Sequence, residues 1–296
     1  MYREVLVKSV LNKKKKRDSW FLDEYTLNPY EGCAFNCQYC YIRGSKYGLN
    51  MEERLAVKIN VLEVLDKQLS LRAKKSQFGI IALASATDPY MRIEESHRLT
   101  EGCLQLIKKH RFPVLIITKS PLVLRDIALL KEIDKVAIHA PDIAPALAHG
   151  TIVSFSFSTV ESKISEKLEP GAPTPQARLE ALSRVKDSGL FAGVNLMPVL
   201  PFINDSTEAL EEMIAAFKHA GADYVLTGSL TLFGNSSADS YTLYMKFLER
   251  NFPLLLPSYQ KLYNGYFMPS ASYQKDLSAR ASRLLAKYGL KEKILP

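Results

Sequence analysis

Three cysteines in one short stretch carry the most informative chemistry of this sequence. Cys33, Cys37 and Cys40 follow one another with C-x3-C-x2-C spacing inside NPYEGCAFNCQYCY, which covers residues 28–41. Such close spacing lets three thiolates converge on one metal centre. Three protein ligands suit a [4Fe–4S] cluster with one iron left open, whereas a closed structural zinc site normally has four. Thiolates are also soft ligands of the kind that iron–sulfur chemistry uses.

A zinc site and three unliganded cysteines are the alternatives to a cluster. A fourth zinc ligand would have to come from a distant part of the chain, because no histidine and no further cysteine lies near Cys33 in the sequence. Cys103 recurs with Leu99, Leu106 and Ile107 on one face of a predicted helix, which indicates a buried core position. The five histidines are scattered without the spacing of metal ligands.

The elements that must position these cysteines follow an α/β pattern. Short apolar runs of the buried-strand type alternate with amphipathic helical patterns. The predicted strands are 25–30, 79–84, 114–119, 152–157, 191–197 and 222–228. Strands separated by helices are typical of βαβ units and a parallel sheet. About six such units predict a doubly wound sheet or a curved partial barrel, and no G-x-G-x-x-G motif supports a dinucleotide-binding fold.

Several helix ends can be predicted from local residue types. Thr174 with Pro175 indicates a helix start, and Gly189 indicates its end. Asp205 with Glu208 resembles a capping box for a helix that ends near residue 221. A further helical segment is predicted over 121–133, and the chain from about residue 241 onward is predicted to be helical. We therefore predict a basic N-terminal segment (1–20), a core (21–235) and a helical C-terminal appendage (236–296).

Composition narrows the class of protein. The 296 residues are 47% apolar and 24% charged, which excludes a mostly disordered chain, a fibrous repeat and a disulfide scaffold. We expect no membrane span and no signal peptide, and therefore a cytoplasmic protein whose cysteines are ligands rather than disulfides. The net charge of +8 permits a nucleic-acid partner. The basic run 13–17 is predicted to be a solvated surface segment.

The cysteine motif, with an aromatic residue before its last cysteine, resembles the radical S-adenosylmethionine (SAM) superfamily. The resemblance continues through SATDPYMRIE (85–94), ITKS (117–120), SFSFST (154–159), LEPGAPTPQARLEAL (168–182) and MPVLP (197–201). Together these segments are similar to the branch that contains spore photoproduct lyase and its DNA repair photolyase-like relatives. The resemblance covers about residues 20–235 and implies a partial (β/α)6 barrel of the TIM type.

This resemblance also implies an activity and its cofactors. A [4Fe–4S] cluster on Cys33, Cys37 and Cys40 would bind SAM through its open iron. Reduction would cleave SAM to methionine and a 5′-deoxyadenosyl radical, with the protein orienting the radical. The resemblance implies a lyase-like enzyme with a reductant such as flavodoxin or ferredoxin. DNA, RNA or a small molecule would be its substrate.

The residues expected to bind SAM lie near the carboxyl ends of the predicted strands, where a barrel builds its site. These residues are Ser85, Thr87, Asp88, Lys119, Ser154, Ser156, Arg178 and Met197. The first three occupy the place where relatives bind the amino group of SAM, and Lys119 is expected to pair with its carboxylate. Arg178 has a structural alternative, an ion pair with Glu169, and Met197 has one in core packing.

Tyr39 and Tyr41 flank Cys40 and match two tyrosines proposed for radical transfer in spore photoproduct lyase. The alternative for Tyr39 is simple packing beside the cluster. Ser85 departs from the lyase, which carries a hydrogen-donating cysteine near the end of its second strand. Because a hydroxyl is a poorer hydrogen-atom donor than a thiol, we expect SAM cleavage without efficient thymine-dimer reversal.

Overall fold

The computed structural model describes residues 2–45 and 55–295. The strands are β1 (Arg3–Val5), β2 (Leu11–Lys13), β3 (Asp23–Leu27), β4 (Tyr30–Glu31), β5 (Ala56–Lys58), β6 (Ile80–Leu83), β7 (Val114–Thr118), β8 (Thr151–Phe157), β9 (Phe191–Val199) and β10 (Val225–Ser229). The α-helices are α1 (Val61–Lys74), α2 (Glu94–His97), α3 (Leu99–Lys109), α4 (Ile127–Val136), α5 (Ser162–Leu168), α6 (Pro175–Asp187), α7 (Thr207–His219), α8 (Ser240–Asn251), α9 (Leu256–Tyr263) and α10 (Ala271–Lys287). Short 3₁₀ helices cover Pro121–Asp126 and Pro253–Leu255. Among the helices of the described ranges, none has the length and apolar character that crossing a membrane requires.

Seven strands form the main sheet, in the order β10-β9-β8-β7-β6-β3-β2. The six strands from β10 to β3 pair in parallel, and β2 pairs antiparallel with β3 at the edge. Parallel neighbours need crossover connections, and helices supply them here. These strands are the six units that the apolar runs predict. A smaller sheet joins β1, β5 and β4.

The parallel sheet curves into a partial barrel. Side chains alternate between its two faces. Ile81 and Ile116 point outward and belong to the main core, which the helices cover. Ile80, Ala82 and Leu115 point inward and belong to a separate apolar cluster. Inner-face residues from β6 to β10 line a single cavity, an arrangement that a flat sheet would not allow. The partial (β/α)6 barrel is thus confirmed.

The N-terminal residues form part of the barrel wall, because β2 extends the main sheet. Three members of the basic run are exposed: Lys13, Lys15 and Lys16. Lys14 instead places its Nζ atom 2.8 Å from Oδ1 of Asp23, and Arg17 pairs with Asp142 at 2.5 Å. The prediction of a solvated segment is therefore wrong for Lys14 and Arg17.

Helix ends agree with the sequence in one case and differ in another. The hydroxyl of Thr174 accepts a hydrogen bond from the backbone N–H of Ala177, and α6 begins at Pro175 as predicted. At α7 the predicted capping box is wrong, because Ser206 caps the helix by accepting from the backbone N–H of Ala209 at 3.1 Å. Asp205 accepts instead from the hydroxyl of Tyr273 at 2.6 Å. The segment over 121–133 opens with a 3₁₀ helix before α4.

The C-terminal residues are helical, as predicted, and they are closely integrated with the barrel. Leu277, Leu284 and Leu285 of α10 are buried in the main core. Tyr244 and Tyr259, from α8 and α9, belong to a second apolar cluster that also includes residues of the cysteine loop. These helices therefore support the loop that carries the predicted metal ligands.

Candidate active site

A cavity of about 520 Å³ opens at the carboxyl ends of the parallel strands. Eleven of the predicted site residues line it: Cys33, Cys37, Tyr39, Cys40, Tyr41, Ser85, Thr87, Asp88, Lys119, Ser156 and Met197. A volume of this order is typical of small-molecule and cofactor sites. The fold thus brings together, in one place, residues that are more than 150 positions apart in the sequence.

The three cysteines of the cysteine loop all line this cavity. All three cysteines are free. Asn36, between the first two, has a φ of 52°, a left-handed conformation that asparagine tolerates better than most residues. The guanidinium of Arg43 donates to the carbonyl oxygen of Cys37 at 3.1 Å and to the Asn36 side chain. Arg43 therefore fixes the turn that separates the thiols.

The thiols are desolvated, which sets their ionisation in the absence of a metal. Burial raises the pKa of Cys33 to about 12, and it also raises the pKa values of Cys37 and Cys40. At neutral pH these groups are protonated unless a metal centre displaces their protons. As protonated thiols they are poor nucleophiles.

The described part of the chain contains no group of three or more His, Cys, Asp or Glu side chains placed to hold a single ion. The choice between an iron–sulfur cluster and zinc stays a prediction. Cys103 is fully buried in the core beside α1 and does not line the cavity, which confirms its predicted core position.

Asp88 and Thr87, which follow β6, form hydrogen bonds with the end of β7 and with the cysteine loop. The Asp88 carboxylate accepts hydrogen bonds from the hydroxyl of Thr118 and from the backbone N–H groups of Lys119 and Tyr90, at 2.8–2.9 Å. Burial raises its pKa, and these donors oppose that shift. The hydroxyl of Thr87 donates to the carbonyl oxygen of Gly32 in the cysteine loop. Both side chains therefore brace the strand ends on which they sit.

A buried ionic cluster lies directly behind Lys119. We define the Glu169 cluster as Tyr39, Lys119, Glu169 and Arg178. Glu169 accepts hydrogen bonds from the Tyr39 hydroxyl and from Arg178, and the Nζ atom of Lys119 lies 3.6 Å away. Burial raises the pKa of Glu169, but Lys119, Arg178 and the Tyr39 hydroxyl together lower it to about 2. The carboxylate is therefore ionised and holds two cations.

Arg178 and Ser154 do not reach the cavity. Arg178 is fully buried and, besides Glu169, donates to the carbonyl oxygens of Pro173 and Ser156. The ion pair with Glu169, the structural alternative for Arg178, is present, and the direct contact with SAM stays a prediction that the complete burial of Arg178 does not favour. Ser154 shares the inner face with Ser156, as predicted, but its hydroxyl bonds to that of Tyr224 deeper in the barrel.

The two tyrosines beside Cys40 have different surroundings. Tyr39 is buried and its hydroxyl donates to Glu169. Tyr41 keeps 55% of its surface exposed and donates to the carbonyl oxygen of Ser85. Packing beside the cluster thus describes Tyr39, whereas Tyr41 joins the cysteine loop to the end of β6. A radical-transfer role for either residue stays a prediction.

The sequence analysis missed Asn195 on β9. This side chain lines the cavity, and its Oδ1 atom is buried with no hydrogen-bond partner among the described residues. A buried acceptor without a donor is unfavourable, which points to a ligand that supplies one. A single amide inside the otherwise apolar run 191–197 was the signal that could have identified it.

Comparison with known proteins agrees with the fold. The family model described as the Radical SAM superfamily matches residues 27–214, more than half of the chain. The chain belongs to the radical SAM superfamily, and it is an enzyme of partial-barrel fold.

Relatives extend over nearly all of the chain. An uncharacterized protein of Mycobacterium tuberculosis is 33% identical over 98% of this chain and 81% of its own length. A radical SAM Nalpha-GlyT isomerase of Pseudomonas phage M6 is 23% identical over 66% of this chain and 38% of its own length. Among solved structures, spore photoproduct lyase complexed with dinucleoside spore photoproduct superposes with a TM-score of 0.63 at 16% identity. That superposition covers 96% of this chain and 79% of the lyase, and a likeness at this identity shows the shared fold.

Proposed function

We propose that this enzyme holds a [4Fe–4S] cluster on Cys33, Cys37 and Cys40 and cleaves SAM reductively. When bound and reduced, the cluster supplies the electron that cleaves SAM to methionine and a 5′-deoxyadenosyl radical. The observation that carries the proposal is that three free cysteines of one loop line the strand-end cavity. The same cavity offers a lysine, hydroxyls and an unpartnered amide oxygen for the rest of the SAM molecule.

The cavity contains suitable partners for the methionine part of SAM. Lys119 is the cation of the Glu169 cluster that faces the cavity, so it can pair with the SAM carboxylate. Ser156 adds a hydroxyl on the neighbouring strand. Asp88 already accepts three hydrogen bonds, and a carboxylate offers about four acceptor sites. One site is therefore left for the SAM amino group, beside the hydroxyl groups of Ser85 and Thr87.

The adenosine part is expected to lie over β9 and β10. Met197 lines this side of the cavity, and its side chain lies 3.0 Å from the position of a Cβ atom at Gly228. A larger residue at Gly228 would therefore push against Met197 in the space where the adenine would pack. Asn195 Oδ1 is positioned to accept a hydrogen bond from a ribose hydroxyl. These residues would orient the radical and exclude water from it.

Anaerobic reconstitution with iron and sulfide tests the proposal. We expect a brown protein with about four irons per chain, which forms 5′-deoxyadenosine from SAM after reduction with dithionite. Cys33→Ala should remove both properties, because two thiolates cannot hold the cluster. Cys103→Ala is the matched control and should keep both, at a packing cost of a few kcal/mol at most. One tightly bound zinc without visible absorption would refute the proposal.

The partners and the substrate stay predictions. A nucleic acid is supported by the net charge of +8 and by the exposed lysines of the N-terminal run, and a flavodoxin or ferredoxin would supply electrons. Ultraviolet-irradiated DNA tests the lyase activity. We expect 5′-deoxyadenosine but little reversal of the spore photoproduct, since Ser85 provides no thiol. Reversal at a rate comparable to SAM cleavage would restore a DNA-lyase function.

A further inference from the structure

We propose that the cavity end formed by Lys14, Asp18 and Asp23 binds the substrate of this enzyme through a protonated amine. We call these three residues the acidic end. The inference rests on the proposed function, in which the cysteine loop and Lys119 take the cluster and SAM. The acidic end belongs to the same cavity but comes from the N-terminal segment, whose residues the SAM assignment does not use.

The first observation is an unsatisfied oxygen. Asp23 lines the cavity although only 1% of its surface is exposed. Its Oδ1 atom accepts from Lys14 at 2.8 Å, whereas its Oδ2 atom is buried and has no hydrogen-bond partner in the described ranges. A buried carboxylate oxygen without a donor is costly, so a ligand that brings an N–H group would be stabilised there.

The second observation is the charge balance at this end. The ammonium of Lys14 lies 2.8 Å from Asp23 and 3.6 Å from Asp18, so two carboxylates share one cation. The next two cations along the chain, Lys15 and Lys16, are exposed to solvent, and Arg17 is paired with Glu24 and Asp142. With both carboxylates ionised, the acidic end carries a net charge of −1 and favours a cation as its ligand. Burial raises the pKa of Asp23, because desolvation disfavours its ionised form. A cationic ligand would offset this desolvation cost.

The third observation is the position of the acidic end relative to the site of radical formation. Tyr41 follows Cys40, lines the cavity and donates its hydroxyl to the carbonyl oxygen of Ser85. Tyr41 and Asp23 both line this cavity, so a substrate held by Asp23 would lie in the same cavity as the SAM of the proposed function.

The other carboxylates near SAM do not offer the same binding. Asp88 accepts from three donors of its own strands, and Glu169 holds Lys119 and Arg178. Asp23 is the lining carboxylate with an oxygen that is both buried and unpartnered. The negative charge of the acidic end would repel a phosphate. The exposed lysines of the basic run suit an anionic group, whereas the acidic end suits a cationic one.

Ligand-observed NMR on the reconstituted full chain tests the inference, with n-butylamine as the probe. Butyrate and 1-butanol are matched anionic and neutral probes, and dithymidine monophosphate represents a nucleic acid. We expect butylamine to bind best. Asp23→Asn should weaken its binding about tenfold or more, because a charged hydrogen bond is lost. Lys14→Met should tighten it, because the competing internal cation is removed. Asp66→Asn, at an exposed pair with Lys109, should change nothing.

Several results would overturn the inference. These are equal binding of the three butyl probes, preferred binding of butyrate or the dinucleotide, or weaker amine binding in Lys14→Met. If Asp23→Asn fails to fold, as its unfolding midpoint would reveal, the direction of the Lys14→Met effect decides alone. The SAM cleavage assay is separate. Absence of 5′-deoxyadenosine with amine-selective binding intact would refute the proposed function and leave the acidic end as an amine site.

Discussion

Two buried ionic clusters contain similar residue types but differ in their charge and in their access to the active-site cavity. The Glu169 cluster contains a glutamate, a tyrosine, an arginine and Lys119. The second, which we call the Glu94 cluster, consists of Tyr30, Glu94, Arg125 and Asp126. Glu94 accepts from the Tyr30 hydroxyl, from Arg125 at 2.7 Å and from the backbone N–H of Thr100 at 2.9 Å.

The clusters differ in charge and in access to the cavity. The Glu169 cluster has two cations for one carboxylate, and its surplus positive charge faces the cavity on Lys119. The Glu94 cluster has two carboxylates for one arginine, and none of its members lines the cavity. A buried ion pair alone is therefore weak evidence of function. The unbalanced cation that faces the cavity is the feature that distinguishes the Glu169 cluster from the Glu94 cluster.

The largest effect should come from removing the central carboxylates. Glu169→Gln leaves Arg178, which is fully buried, without its counter-ion, so we expect a loss of about 3–5 kcal/mol in the free energy of unfolding. Glu94→Gln should cost less, because Arg125 is partly exposed and keeps Asp126. Urea denaturation of both variants measures the difference. Equal losses would mean that the two clusters are equivalent.

Acid should weaken the Glu169 cluster in a defined pH range. The pKa of Glu169 is about 2 in the folded protein against 4.5 as its ordinary value. Because the folded pKa is depressed, this stabilisation is fully present above about pH 4.5 and is lost as pH falls toward 2. Its full size is about 3 kcal/mol. The stability difference between the wild type and Glu169→Gln should shrink over that range, and a constant difference would contradict the assignment.

Lys119→Met tests whether the cation that faces the cavity contributes to SAM binding. Loss of the cation that faces the cavity is expected to weaken SAM binding about tenfold, the equivalent of about 1.4 kcal/mol. Arg125→Met is the matched control in the Glu94 cluster and should lower stability without changing SAM affinity. Equilibrium binding of SAM to the reconstituted variants measures both. A loss of SAM affinity in Arg125→Met alone would reverse the roles of the clusters.

The smallest effects concern the two phenol hydroxyls. Tyr39→Phe and Tyr30→Phe each remove one hydrogen bond to a glutamate, and we expect each to cost about 1 kcal/mol of stability. Both variants should still form 5′-deoxyadenosine. If Tyr39→Phe retains SAM cleavage but loses substrate turnover while Tyr30→Phe retains both, the radical-transfer role predicted for Tyr39 gains direct support.

The sequence predicts the strands and the apolar core positions well, and the buried ionic contacts less well. Strands such as 152–157 and the core position of Cys103 follow from apolar periodicity, which records burial directly. The ionic contacts depend on residues far apart along the chain. Tyr39 and Glu169 are 130 positions apart, and Asp23 and Tyr41 line the same cavity from two separate parts of the chain. Nothing in the local pattern around Asp23 distinguishes it from an ordinary polar strand residue.

Arg178 is a second example of a residue whose surroundings the sequence alone does not predict. The sequence does not distinguish a motif residue that contacts a ligand from one that is buried behind the cavity. The complete burial of Arg178 and its contact with Glu169 favour the second for this residue. The capping error at α7 has a similar origin. Asp205 and Ser206 are both good cap residues, and the tertiary contact of Asp205 with Tyr273 decides between them.

The turn between α5 and α6 has a consequence for how the cofactor is assembled. Gly171 donates its backbone N–H to the carbonyl oxygen of Phe35 at 3.1 Å, and Gln38 donates to that of Leu168 at 2.8 Å. A Cβ atom at Gly171 would overlap the carbonyl oxygen of Ala34, so the two segments are in direct backbone contact. The barrel therefore fixes the backbone of the cysteine loop at this turn. If the proposed cluster binds there, folding of the barrel would supply part of its binding site, unlike in small zinc domains, where metal binding and folding are one event.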